Sequence, residues 1–161
     1  MKDTFTIAYV EDDPMLRRLL GIHLNRQGLE ARLIAGSGKE LLELLEEADS
    51  IPDACLLDLN MPDMDGFATA RMLREKYPNI RILAYSGNDL PHRVEQALRC
   101  GAHGFISKDL APEEIQKALI AVLNGQPCIR QHPTTIKSCG GRVAAYPSEH
   151  ARDYRPMASA L

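Results

Sequence analysis

Leu56-Leu57-Asp58-Leu59-Asn60-Met61-Pro62-Asp63-Met64-Asp65-Gly66 is the stretch on which the fold turns. Residues 53–58 are short and almost continuously apolar, the pattern of a parallel strand buried on both faces. The run ends on a single carboxylate, Asp58, and Pro62 and Gly66 then punctuate a turn. Asp63 and Asp65 suit that turn and the cap of a helix over 65–77, which Pro78 stops. A strand that carries one Asp to its C-terminal tip puts that group where open parallel sheets bind ligands.

The same alternation continues on both sides. Residues 5–10 read as a strand ending in Glu11-Asp12-Asp13. Pro14 then suits the first turn of a helix with Leu16, Leu19, Leu20 and Leu24 on one face, closed by Gly28. Residues 29–34 form a more polar strand, suited to a sheet edge, and 39–48 a helix. Beyond the opening stretch come a strand over 80–85, the turn Ser86-Gly87-Asn88, a helix over 90–99 and a short strand over 104–107. The last helix, 112–124, has Ile115, Ala118, Leu119, Val122 and Leu123 on one face. Five strands alternating with five helices specify βαβ units: a doubly wound α/β sandwich with a five-stranded parallel sheet covered on both faces. From Gln126 the periodicity fades amid Pro127, Pro133, Pro147, Pro156 and Gly140-Gly141. Residues 1–125 are therefore expected to form one domain, and 126–161 an irregular tail.

A chain of 161 residues can bury a real core in such a domain. Its 45% hydrophobic and 25% charged residues are ordinary for a soluble protein, and a net charge of −3 advertises neither nucleic acid nor membrane. The charge is uneven: from Ile129 onward five Lys/Arg face two acids, so the tail is +3 and the body −6. No apolar run approaches the roughly 18 residues of a membrane span, and the N-terminus lacks a secretory pattern. The four cysteines make no C-x-x-C pair and no metal-ligand spacing, as expected of reduced thiols in a cytoplasmic protein. The five histidines are scattered and read as surface or core residues.

On this topology Glu11, Asp12 and Asp58 meet at one sheet edge, where like charges repel unless a cation bridges them. Hard oxygen donors favour Mg²⁺, which binds through one or two carboxylates plus a phosphate. Ser86 offers a hydroxyl and Lys108 an ammonium. With the turn amides they surround Asp58 with what a phosphoryl group needs. Asp58 then acts as a nucleophile that forms an acyl phosphate.

Four segments carry a resemblance: Y-V-E-D-D-P-M-L-R-R from residue 9, D-L-N-M-P-D-M-D-G from 58, A-Y-S-G from 84 and G-F-I-S-K-D from 104. In this order, over about 4–124, they resemble the receiver domains of two-component response regulators, the CheY-like family with a flavodoxin-like fold. The segment G-A-H-G-F-I-S-K-D-L-A-P-E-E-I, with Asp109 where many receivers carry Pro, is most similar to receivers of LuxR-type transcription regulators. The resemblance implies strand order 2-1-3-4-5 and Asp58 as phosphoacceptor. It implies that Asp12, Asp58 and the backbone carbonyl of Asn60 hold Mg²⁺ (or Mn²⁺), with Glu11 acting through a metal-bound water. Ser86 and Lys108 would contact the phosphoryl oxygens, Ser86 and Phe105 would form the switch, and Asn60 and Asn88 would tune dephosphorylation. A sensor histidine kinase or phosphotransfer protein would be the donor. The face built from the fourth helix, fifth strand and fifth helix would carry a homodimer or partner contact.

The residues after Asn124 are too few for the helix-turn-helix output domain of the LuxR-type subgroup and lack its periodicity. Direct DNA binding is thus not expected of this chain, although transcription is an output the subgroup suggests. The expected protein is not an enzyme in the ordinary sense, since it catalyses only its own phosphorylation and dephosphorylation. Three alternatives fit the residues less well. A haloacid-dehalogenase-type phosphatase also uses a strand-end Asp with Mg²⁺, but needs a second Asp two residues on, where Asn60 stands. A flavodoxin-like binding module would need a phosphate-cradling loop where Glu11-Asp12-Asp13 repels phosphate. A degenerate, unphosphorylated receiver is disfavoured by the full set of pocket residues.

Overall fold

The computed structural model describes residues 4–62 and 64–131. The elements are β1 (Phe5–Val10), α1 (Pro14–Arg26), β2 (Leu29–Ala35), α2 (Gly38–Glu47), β3 (Ala54–Asp58), α3 (Gly66–Lys76), β4 (Arg81–Ser86), α4 (Pro91–Arg99), β5 (Gly104–Ser107), α5 (Pro112–Leu123) and β6 (Cys128–Arg130). All strand pairs are parallel, in the order β2-β1-β3-β4-β5-β6. The expected doubly wound α/β order thus stands, with one strand more than expected.

Because successive strand residues point to opposite faces, the sheet divides two cores. Val10, Cys55, Leu57, Ile82, Ala84 and Phe105 pack against α2, α3 and α4 through side chains such as Leu41, Phe67, Leu73, Val94 and Ala97. Ile7, Tyr9, Leu56, Leu83 and Ile106 pack against α1 and α5 through Leu20, Leu24, Ile115, Leu119 and Val122. Each fully buried Leu or Ile contributes about 2 kcal/mol. β2, the polar strand, alternates buried and exposed residues as an edge strand should.

Polar residues fix where the first three helices begin. Asp13 caps α1 by accepting from the N–H groups of Met15 (2.8 Å) and Leu16 (3.1 Å). Ser37 caps α2 through the Glu40 N–H, and Glu40 reaches back to the Gly36 N–H at 2.7 Å. Asp65 caps α3 through the Ala68 N–H at 2.7 Å, as the sequence predicts. Among the described residues no helix is long and apolar enough to cross a membrane.

β6 is the departure. The sequence reading ends regular structure at α5, yet the chain turns at Gly125 (φ 81°) and lays Cys128, Ile129 and Arg130 beside Gly104, Phe105 and Ile106. Three residues are too short to show a period of two, and the determinant lies elsewhere, at Gly104. A Cβ there would stand 2.7 Å from the Cys128 carbonyl oxygen and 2.9 Å from Val122 Cγ1. The missing side chain is what lets β6 close on β5. β5 is therefore an interior strand, and the rim beside it is made by β6, held by an Arg130–Glu114 ion pair and by Gln131 Nε2 donating to the Asp89 carbonyl at 2.6 Å. Residues 132–161 of the expected tail, and Asp63, lie outside the described residues.

Candidate functional site

The C-terminal ends of β1, β3, β4 and β5 deliver Glu11, Asp58, Ser86 and Lys108 to one corner. Asp58 is the last residue of β3 and is fully buried; Glu11, just past β1, is 1% exposed. Asp12 beside it is exposed. Carboxylate oxygens of Glu11, Asp12 and Asp58 all lie within 4.8 Å of one another. Lys108 Nζ donates to Glu11 Oε2 at 2.8 Å and to Asp58 Oδ2 at 2.9 Å, and it stands 4.9 Å from the centre of the Tyr85 ring.

Two buried carboxylates against one ammonium leave an excess of negative charge. Burial pushes the Glu11 carboxyl up to about 7, although the bonds from Lys108 and the Asp13 N–H oppose it. Burial likewise raises Asp58, against the Asn60 N–H and Lys108. Burial disfavours the Lys108 charge, but hydrogen bonds to Glu11 and Asp58 outweigh it and the net direction is upward. An additional cation would relieve this imbalance. The donor set, carboxylate oxygens on a partly open edge, fits a hard divalent ion such as Mg²⁺.

The loop after β3 is held by a glycine. A Cβ on Gly66 would lie 2.4 Å from the Asp58 carbonyl oxygen and 2.5 Å from Leu59 Cα, so α3 can start this close to the strand tip only without a side chain. Between them Asn60 folds back. Its N–H donates to Asp58 Oδ1 at 2.9 Å, and its side-chain Nδ2 donates to Ser86 Oγ at 3.1 Å. Ser86, fully buried, also accepts from the Asn88 N–H at 3.0 Å.

The sequence-predicted residues thus separate into groups. Glu11, Asp12, Asp58 and Lys108 converge directly, and Ser86 joins them through Asn60. Asn88 is near, and its Oδ1 accepts from the Leu90 N–H at 3.3 Å at the turn into α4. Phe105 is fully buried in the core beneath α4, paired in register with Ala84 and Ile129.

Sequence reasoning passed over three contributors. Asp13, one place beyond the acidic pair, donates its N–H to Glu11 Oε1 at 3.1 Å as well as capping α1; the Asp13-Pro14 helix start is the available signal. Arg17 Nη1 holds the Glu11 carbonyl at 3.0 Å. Arg93 of α4 donates to Asn60 Oδ1 at 2.7 Å, a long-range contact that no local pattern announces.

The chain is similar to known proteins. A sequence profile for the response regulator receiver domain matches residues 7–120. The chain is 37% identical over 136 residues to the transcriptional activator protein ExaE of Pseudomonas putida, covering 83% of this chain and 62% of that protein. It is 37% identical over 141 residues to the nitrate/nitrite response regulator NarL of Escherichia coli, covering 86% and 63%. The chain therefore spans less than two thirds of these relatives' length. Among solved structures, the signal receiver domain of the putative response regulator NarL from Mycobacterium tuberculosis superposes with a TM-score of 0.71 at 33% identity, covering 77% of this chain and 99% of that one. A LuxR-family two-component response regulator from Aurantimonas superposes with a TM-score of 0.74 at 26% identity, covering 83% and 94%.

Proposed function

The chain belongs to the response regulator receiver domain family, and from that premise we propose that Asp58 accepts a phosphoryl group from the phosphohistidine of a sensor kinase or phosphotransfer protein. One observation carries the reading: a fully buried carboxylate at the tip of β3 shares its pocket with two further acids and one lysine. Asp58 Oδ attacks phosphorus in line as the bond to the histidine nitrogen breaks. Lys108 offsets charge on the phosphoryl oxygens, and the Ser86 hydroxyl donates to one of them. Glu11, Asp12, Asp58 and the Asn60 carbonyl would hold Mg²⁺ or Mn²⁺, which supplies further charge neutralisation when bound. Catalysis is confined to this protein's own phosphorylation and dephosphorylation. The dehalogenase-type reading gains nothing here, since Asn60 stands where an acid is needed and its amide is committed to Ser86 and Arg93.

The switch would run from Ser86 to Phe105, biasing two packings of the β4–α4 region. Any homodimer or partner contact on the face formed by α4, β5 and α5 would include β6, which covers the outer edge of β5. We place the protein in the cytoplasm, with transcriptional control as the output its relatives' names suggest.

Incubation with acetyl phosphate and Mg²⁺ tests the reading by intact mass. One added phosphoryl group in wild type, absent in Asp58→Ala and suppressed by EDTA, is expected. Equal behaviour of wild type and Asp58→Ala would overturn it.

A further inference from the structure

The cationic side chain of Arg93 crosses from α4 to the loop holding the phosphoacceptor. Its guanidinium lies 4.7 Å from the centre of the Phe67 ring in the first turn of α3, and its Nη2 donates to Asn60 Oδ1 at 2.7 Å. Three elements are thereby tied by one side chain: α4, the start of α3 and the β3–α3 loop. The aromatic face and the planar fork both suit arginine rather than lysine.

The bond to Asn60 has a consequence one residue further. An amide whose oxygen is taken by Arg93 must present its nitrogen on the other side, and there Nδ2 meets Ser86 Oγ. Ser86 Oγ accepts a second bond from the Asn88 N–H. With both acceptor positions filled, the remaining capacity of the hydroxyl is to donate, and donation is what a phosphoryl oxygen on Asp58 requires. Asn60 meanwhile holds Asp58 Oδ1 through its own N–H. Arg93 therefore fixes the orientation of the group that orients both Ser86 and Asp58. Its Nε–H is buried without a partner among the described residues, so the guanidinium also keeps an unused donor.

We propose that Arg93 is a positioning residue of the phosphoryl site, holding the Asn60 amide so that Ser86 stays a donor and water stays out of the Asp58 pocket. The inference rests on the reading of Asp58 as phosphoacceptor. It bears on phosphoryl loss, in which a water oxygen bonds to phosphorus, the bond from phosphorus to the Asp58 oxygen breaks, and inorganic phosphate leaves with the water's proton passing to solvent. Without Arg93 the Asn60 amide is free to turn, Ser86 loses a fixed neighbour, and water approaches phosphorus more readily.

The test loads the full chain with acetyl phosphate and Mg²⁺, removes the donor, and follows the phosphorylated fraction on a phosphate-affinity gel. Arg93→Ala is expected to shorten the lifetime about tenfold, the lower end of the scale of one hydrogen bond from a charged group. Arg93→Lys, which keeps the charge but not the fork, should recover only part of it. Asn60→Ala should shorten the lifetime too, and in the Arg93→Ala background should add nothing more, since both act through one contact. Thermal unfolding of each variant identifies any that fails to fold, and the Arg93→Lys comparison then decides. Lifetimes for Arg93→Ala that equal or exceed wild type, or effects that add independently with Asn60→Ala, would overturn the role of Arg93 while leaving the phosphoacceptor intact. A wild type that takes up no phosphoryl group would overturn both.

Discussion

Asp53 and Asp58 stand at opposite ends of β3 and do opposite things. Asp53, just before the strand, accepts from the Thr6 N–H at 2.8 Å and the Thr6 hydroxyl at 3.0 Å, while its own N–H donates to the Thr6 carbonyl at 2.8 Å. That carboxylate is held by the two Thr6 donors and stitches β1 to β3. Asp58 shares a buried corner with Glu11 and a single ammonium, and burial raises both carboxyl groups. The lesson is one of balance. A carboxylate surrounded by donors stabilises the fold, whereas two that outnumber their cation hold free energy in reserve for a ligand that brings positive charge or hydrogen-bonding oxygens.

The contrast can be broken most severely at its C-terminal end. Gly66→Ala would force a Cβ against the Asp58 carbonyl and Leu59 Cα, both backbone atoms unable to yield. A loss of about 3 kcal/mol in urea unfolding is expected; an unchanged midpoint would mean α3 does not need this approach. Asp53→Ala leaves the Thr6 N–H without its acceptor and should cost about 2 kcal/mol, with phosphoryl uptake at Asp58 retained. Loss of uptake in a folded Asp53→Ala protein would erase the distinction between the two ends.

Asp58→Asn should have the opposite sign, stabilising the metal-free protein by about 1 kcal/mol at pH 8. The sign follows from linkage. Both acids titrate higher in the folded state than unfolded, so ionising them costs stability. That cost is absent below the ordinary carboxylate range and grows as pH rises toward the value of about 7 for Glu11. The advantage of Asp58→Asn should therefore fade at pH 4, and an advantage independent of pH would contradict it.

The smallest effect sharpens the N-terminal end. His103 Nδ1 accepts from the Ile82 N–H at 2.9 Å, and burial with Arg74 and Arg81 nearby lowers its pKa to about 4. A folded pKa below the unfolded one means stability is intact above about 6.5 and is lost as pH falls toward 4. His103→Asn keeps an acceptor without the titration, and its thermal unfolding should lose less than wild type across that window. Equal losses would show that His103 does not titrate with folding.

Much of this was legible because it is local or periodic. The apolar run ending on Asp58 announced a buried strand, Asp65 its following cap, and the polar pattern of residues 29–34 an edge. Strand-end placement then gathered Glu11, Asp12, Ser86 and Lys108 without any contact being known. What escaped depends on pairs distant in sequence. β6 is written in Gly104 rather than in Cys128-Ile129-Arg130, and Arg93 looks like an ordinary exposed helix residue until α4 is set beside the β3–α3 loop. Asn88 is intermediate: its N–H reaches Ser86 Oγ as its position suggests, while its side-chain Oδ1 accepts from the Leu90 N–H at the turn into α4.

The central claim is that Asp58, and no other acid of this corner, carries the phosphoryl group. Reductive trapping of the phosphorylated protein with labelled borohydride, followed by peptide mapping, asks this directly. Label confined to position 58 is the predicted result. Label at Glu11, Asp12 or Asp53, or no label in a protein that has gained a phosphoryl group by mass, would contradict it.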